Sequence, residues 1–182
     1  VLEVRQLSAV EARSHLDALA EVLLDCVAGG ASVSFMAPFS REDAKAFFEN
    51  AVPEVAAGRR ILLAAFVDSE LVGTVQILTA MPPNQPHRGE VAKLLVRRSA
   101  RSKGVGRRLM EYAEEVALRA GKTLLVLDTA SESAEKIYLR LGWTRLGVIP
   151  NYALLPDGGF CDTTVFYKQL NMLDRNTEQV YV

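Results

Sequence analysis

The stretch Lys93–Glu115, KLLVRRSARSKGVGRRLMEYAEE, passes from an apolar run through basic and glycine-rich residues into an amphipathic segment. A strand, a glycine turn and a helix in that order suit a phosphate. The first turn of a helix leaves backbone N–H groups unpaired at the positive end of its dipole. Gly104 and Gly106 let the backbone come close to a bulky anion, and Arg101, Arg107 and Arg108 add charge. The two familiar nucleotide motifs are excluded by spacing. There is no G-x-x-x-x-G-K-[ST], and the pair Gly104 and Gly106 lacks the third glycine of G-x-G-x-x-G.

Composition narrows whose phosphate this is. The chain has 182 residues, 49% of them hydrophobic, enough for one domain with a sizeable core. Its formal net charge is −1 and its pI about 6.2, so no global basic field exists of the kind that draws in nucleic acid. The basic cluster at residues 97–108 is local and lacks interleaved aromatics, which argues against single-stranded nucleic acid as a partner. Two cysteines, Cys26 and Cys161, and two histidines make neither a disulfide framework nor a zinc site, so no metal is expected. No apolar run reaches membrane-spanning length and no signal peptide is legible. The expectation is a cytoplasmic protein with no membrane partner.

Periodicity gives the element order. "LEVRQLS" alternates as a strand. Ser8 with Glu11 offers a capping box for one helix carrying Leu16, Leu19, Val22, Leu23, Cys26 and Val27, which stops at Gly29-Gly30. A second helix begins after Ser40, with Pro53 expected to kink or end it. "RRILLAAFVD" and "LVGTVQILTA" flank a tight turn and read as an antiparallel hairpin. "EVAKLLV" is the strand before the glycine segment, and "KTLLVLDT" is apolar enough to be buried on both faces. Thr129 with Glu132 suggests a capping box for a helix bearing Ala134, Ile137, Tyr138 and Leu141. Two last strands surround "PDGG". The fold class is mixed α/β, one domain over 1–170 whose sheet has helices on its faces, with a loose tail over 171–182. No exposed apolar stripe in the sequence demands a partner copy, leaving monomer or homodimer open.

Arg101-Ser-Lys-Gly104-Val-Gly106 resembles the R/Q-x-x-G-x-G/A signature of the GNAT superfamily of acyl-CoA N-acyltransferases. The preceding "KLLV" and the later "AEKIYLRLGW" are similar to two further landmarks of that family, in order and spacing. Two segments, "GGASVSFM" and "EVAKLLV…RSARSKGVGRRLM", look like the tabtoxin resistance acetyltransferases within it. The resemblance implies a central, mostly antiparallel sheet and acetyl-CoA as co-substrate. It implies that Arg101, Ser102, Lys103, Gly104, Val105, Gly106 and Arg107 grip the pyrophosphate. The backbone of Leu94, Leu95 and Val96 would pair with the pantetheine arm, and one N–H there would polarise the thioester carbonyl.

Acetyl transfer to an amine needs a base for the amine, donors for the oxyanion and a proton for the departing thiolate. The family's A-x-x-x-Y-x-x-x-G segment falls on Ala134, Tyr138 and Gly142, which makes Tyr138 the expected general acid. Many relatives carry asparagine where this chain has Ser131, whose hydroxyl either replaces that cofactor contact or caps the helix. Glu90 is the expected base, read as the start of its strand, with Asp128 as competitor or as an acceptor ligand. His87 reads as a surface residue. The loop "AGGASVSFMAPFS" supplies Ser32, Ser34, Phe35 and Met36 as a lid over the acceptor, with Asn151, Tyr152 and Asp157 as further candidates. Such a lid suits a compact polar amine, and the resemblance implies a small-molecule acceptor of amino-acid-like toxin or antibiotic type. Neither cysteine falls in a matched motif position, so direct transfer in a ternary complex is expected. A protein N-terminus or lysine as acceptor, or a non-catalytic acyl-CoA sensor, are the alternatives.

Overall fold

The computed structural model of the chain describes residues 1–171, so the expected tail lies outside the described residues from 172 onward. The chain begins with a strand, Leu2–Leu7 (β1), and three helices, Ala9–Ser14 (α1), Leu16–Ala28 (α2) and Arg41–Ala56 (α3). A hairpin of Arg60–Val67 (β2) and Glu70–Leu78 (β3) follows, then Arg88–Val96 (β4) and Val105–Arg119 (α4). Leu124–Thr129 (β5), Glu132–Arg140 (α5), Thr144–Leu154 (β6) and Phe160–Gln169 (β7) complete it. The sheet runs β1-β2-β3-β4-β5-β7-β6 and is antiparallel except for β4 beside β5. That one parallel pair follows from the connection, since α4 carries the chain back across a face of the sheet.

Strand alternation explains why β2 is apolar throughout. Ile61, Leu63 and Ala65 join one core with Leu109, Met110 and Ala113 of α4, while Leu62, Ala64 and Phe66 join another with α2 and α3. Helices therefore cover both faces, and each fully buried leucine is worth about 1.5–3 kcal/mol over exposure. Thr74 and Gln76 are the exceptions on β3, both fully buried among the apolar residues of the α2–α3 side. The β2–β3 turn is built by Asp68 and Ser69, with φ of 48° and 70°, the paired left-handed residues that a two-residue hairpin needs. Among the described residues no helix is long and apolar enough to cross a membrane.

Several local expectations are corrected. The first helix breaks at His15 (φ −105°, ψ 12°), whose ring nitrogen Nδ1 lies 2.9 Å from the Glu11 carbonyl and competes for it. Pro53 does not end α3, which runs on to Ala56. So near the C-terminus its missing N–H forfeits a single helical bond. The cap of α5 is Ser131 rather than Thr129, which ends β5 and accepts the Ser131 N–H at 3.1 Å. An apolar stripe is exposed after all. Leu146, Ile149 and Tyr152 on β6, the free edge of the sheet, are 64%, 45% and 54% exposed. Period-2 reading could not see it, because which strand ends the sheet depends on pairing.

The expected cap at Ser8 is present in full. The Glu11 N–H donates to Ser8 Oγ at 3.2 Å, the Ser8 N–H donates to Glu11 Oε2 at 2.9 Å, and Arg5 donates to Glu11 Oε1 at 2.5 Å. The Ser8 amide first, then its hydroxyl and Arg5, hold the Glu11 carboxyl down to about 2 from 4.5. A depressed folded pKa stabilises fully above the unfolded value and less as pH falls through the folded one. Glu11→Gln is therefore expected to lower the urea midpoint at pH 7. The gap from wild type should narrow steadily between pH 4.5 and 2, as pH-resolved urea titrations would show.

Candidate active site

β4 and β5 pair only over Arg88–Leu124, Gly89–Leu125 and Glu90–Val126, and then part. Beyond Glu90 the inner edge of β4 has no strand beside it among the described residues. A bulge lies in the same stretch: Thr74 faces Leu95 and Gln76 faces Ala92, so Lys93 and Leu94 together stand against Val75. Lys93 takes φ 54°, a left-handed conformation uncommon for lysine. The Arg97 N–H donates to the Val72 carbonyl at 2.9 Å. By antiparallel alternation the Val96 N–H then faces the opening, while the peptide groups of Leu95 face β3. The Val96 carbonyl already accepts Arg101 Nε at 3.2 Å and Cys26 Sγ at 3.5 Å.

At the end of β4 the chain makes a 3-10 turn at Arg98–Ala100 and enters α4. Ser102 and Gly104 have φ of 61° and 79°, and Gly104 caps α4 without any side-chain bond. The first amide to bond inside the helix is that of Arg108, to the Gly104 carbonyl at 3.0 Å, so those of Val105, Gly106 and Arg107 have no helical acceptor. The two glycines differ in kind. A Cβ on Gly104 would meet open space, so backbone conformation selects that residue. A Cβ on Gly106 would lie 3.0 Å from Ile137 Cδ1, so here it is close packing against an α5 side chain that a larger residue would disturb. The basic side chains are partly engaged: Lys103 donates to the Ser99 carbonyl at 2.9 Å and Arg107 pairs with Glu111 at 2.7 Å.

Tyr138 stands in α5, 4% exposed, its ring 5.8 Å from Trp143 and 5.5 Å from Phe166. Burial first, and the Asp128 charge second, push its phenol well above the usual range, so it keeps its proton. Asp128, next to last in β5 and past the last β4–β5 pair, accepts Thr163 Oγ1 at 2.7 Å. Glu90 is the third residue of β4, half-buried, and bonded by Arg88 at 2.6 Å. It does not begin the strand. Ser131 Oγ accepts the Ala134 N–H at 3.3 Å as the α5 cap.

The loop between α2 and α3 closes over the other face. Ser32 Oγ donates to the Leu154 carbonyl at 3.1 Å, Cys161 Sγ to Ser32 Oγ at 3.4 Å, and the Ala37 N–H to the Pro156 carbonyl at 2.8 Å. Phe35 packs on Phe39 and Phe47, whereas Met36 is 45% exposed. Asn151 donates its N–H to Asp162 at 2.9 Å and Tyr152 points outward. Beneath the loop lie residues that sequence reasoning missed. Lys93 Nζ donates to Ser34 Oγ at 2.9 Å, above the rings of Phe35 and Phe47. Burial lowers the pKa of this ammonium, with Asp128 opposing. Arg60 donates to Gln76 Oε1 at 2.6 Å, yet Arg60 Nε and Gln76 Nε2 are buried without acceptors among the described residues. An unmet buried donor costs about 1–3 kcal/mol. A lysine inside "EVAKLLV" and a glutamine at an inward position of β3 were the available signals.

A family model, that of the acetyltransferase (GNAT) family, matches residues 24–143. The chain therefore belongs to the GNAT family of acetyltransferases, enzymes that take acetyl-CoA as co-substrate. The fold agrees with solved structures. An N-acetyltransferase from Staphylococcus aureus Mu50 is 18% identical at a TM-score of 0.77, over 94% of this chain and 99% of that one. The protein yncA of Salmonella typhimurium, solved with its cofactor acetyl-CoA, is 17% identical at 0.75 over 94% and 95%. A protein inferred to be a phosphinothricin N-acetyltransferase is 20% identical at 0.77 over 94% and 99%. At these identities the likeness carries the fold and not the acceptor. Among the described residues no three His, Cys, Asp or Glu side chains group as a metal site.

The contrast between the glycines is testable. Gly106→Val should force α4 from α5 and lower the melting temperature by about 4–8 °C or more. Gly104→Ala, which meets no atom but keeps φ at 79°, should cost only about 1 kcal/mol. Thermal unfolding of both variants would check this.

Proposed function

We propose that the enzyme, a single domain over 1–170, transfers the acetyl group of acetyl-CoA to the amine of a compact small molecule by direct transfer. An amino-acid-like toxin or antibiotic is the acceptor type this reading favours, and the cytoplasm its setting, with the enzyme a monomer or homodimer. The observation that carries the reading is the parting of β4 from β5 directly ahead of the uncapped start of α4. Peptide-like amides of the pantetheine arm fit an open strand edge, and a pyrophosphate fits an uncapped helix start.

Bound acetyl-CoA supplies the acetyl group as a thioester. In this reading the amides of Val105, Gly106 and Arg107, with Ser102, Lys103 and Gly104 in the turn, hold its pyrophosphate. Arg101 braces the turn against Val96 and adds charge. The backbone of Leu94 and Val96 lines the arm, and the free Val96 N–H supplies the oxyanion donor. Leu95 contributes by fixing β4 to β3, and Ser131 by setting the start of α5. Glu90 takes the proton of the acceptor amine, with Asp128 as the second carboxylate at the opening. Tyr138 holds the proton that the departing sulfur needs. A phenol so reluctant to ionise acts as acid rather than base, and its transfer completes only as charge develops on sulfur. Ser32 and Phe35 close the acceptor side, with Met36 at its rim. The loop's three bonds to the 154–161 hairpin favour a small acceptor over a protein terminus.

Calorimetric titration with acetyl-CoA should show one site per chain, and Gly104→Val should abolish it while the fold survives. Unchanged binding in that variant would sink the pyrophosphate assignment. In a thiol-release assay Tyr138→Phe should lower kcat about 100-fold or more, with the acetyl-CoA dissociation constant within about twofold. A loss of affinity at unaltered kcat would instead remove the acid role.

A further inference from the structure

We propose that Arg60 and Gln76 form an anion subsite, so that the acceptor carries a carboxylate beside its amine; this rests on the acetyltransferase reading above. On the face covered by α3, a cavity of about 330 Å³ is lined by Glu54, Arg59, Arg60, Arg88 and Glu90 among others. Four of those five charges are already matched. Arg59 grips Glu54 through two bonds of 2.9 and 2.7 Å, and Arg88 bonds Glu90 at 2.6 Å. Arg60 has no carboxylate within ion-pair distance among the described residues. After pairing, one guanidinium on the cavity wall is left without an ion-pair partner among the described residues, with only the Arg59-bound Glu54 charge acting on it.

The donors around it have the pattern of an anion site. Arg60 gives one terminal nitrogen to Gln76 Oε1 at 2.6 Å, a bond that fixes the guanidinium in place. Arg60 Nε and Gln76 Nε2 are both buried and both lack an acceptor. Gln76 is fully buried, so bulk water does not satisfy it. Of the two residues only Arg60 lines the cavity, and a carboxylate or related oxyanion there supplies its guanidinium with an acceptor and a negative charge together, Gln76 bracing it from within the fold. Lys93, further along the same face and free of any ion pair among the described residues, keeps the local field positive.

Register puts this subsite at a useful distance from the base. Arg60 pairs with Leu78, and Leu78 with Glu90, so both flank one residue on the same face. Two strand spacings separate their backbones by roughly 9–10 Å. The cavity of about 330 Å³ that both line has room for one amino acid, its carboxylate on Arg60 and its amine toward Glu90. An uncompensated cation disfavours polyamines in the same place.

The test uses the whole chain with acetyl-CoA and a panel of the common amino acids, their carboxamides and their decarboxylated amines. Wild type should prefer at least one free amino acid over its carboxamide and decarboxylated amine by about 100-fold in kcat/KM. Arg60→Met should raise KM for that amino acid about 30-fold or more and erase the preference, with Arg60→Lys restoring part of it. Acetyl-CoA affinity should stay within about twofold in both, since Arg60 lies outside the proposed cofactor groups. Gln76→Glu gives Arg60 an internal carboxylate, so it keeps the fold and should still abolish the preference. Equal use of amino acid and carboxamide, or a preference surviving Arg60→Met, overturns the subsite while acetyl-CoA binding and turnover uphold the enzyme reading. Failure to bind acetyl-CoA at all would overturn both.

Discussion

The parting of β4 from β5 is the constraint around which the molecule is arranged. Two strands share three residue pairs and then separate, which leaves backbone groups inside the protein without a ladder. Such groups must find partners or exact a cost. The chain settles part of this itself, since Arg101 and Cys26 bond the Val96 carbonyl from the α2 side. The bulge at Lys93 bends β4 at the same place, and α4 and α5 approach closely at Gly106 and Ile137 beside it. Strand, turn and helix therefore converge on an opening that one extended, amide-bearing ligand ending in phosphates would complete.

Much of this was legible because it is local. A strand running into a glycine turn and an amphipathic helix needs no knowledge of distant residues, and the Ser8–Glu11 cap and the β2–β3 turn are read the same way. Where the reading failed, the deciding partner lay in space or in competing local bonds. The His15 ring competes for the Glu11 carbonyl and packs on Phe66, and so divides a helix that periodicity joined. Thr129 and Ser131 are equally good caps on paper, and strand pairing with β7 claimed Thr129 for β5. Arg60, Gln76 and Lys93 come from three strands and meet only through register. The exposed stripe on β6 is invisible until the strand order makes β6 the edge.

The buried polar residues argue for function through their cost. A core gains nothing by holding Gln76 Nε2 and Arg60 Nε unpaired, and replacing such groups with well-packed apolar side chains is often neutral or stabilising. Thr74, one position away on the same face, is buried equally but donates to the Leu63 carbonyl at 2.8 Å. The difference marks Thr74 as settled structure and the Arg60–Gln76 pair as a site awaiting an acceptor.

The same sheet also separates the two halves of the proposed chemistry. Tyr138 belongs to the core under α4 and α5, while Lys93 and the docked loop lie with α2 and α3 on the opposite face. A continuous ladder would keep them apart. Asp128 stands where the ladder has opened, and its charge acts on both, raising the Tyr138 phenol and supporting the Lys93 ammonium against desolvation. An amine arriving from one face and a thiol leaving toward the other need a common point, and in a seven-stranded sheet covered on both sides the opening beyond Glu90 is where one exists. In the proposed reading direct transfer suits this topology as much as the chemistry, because donor and acceptor would reach that point by separate routes without exchanging places.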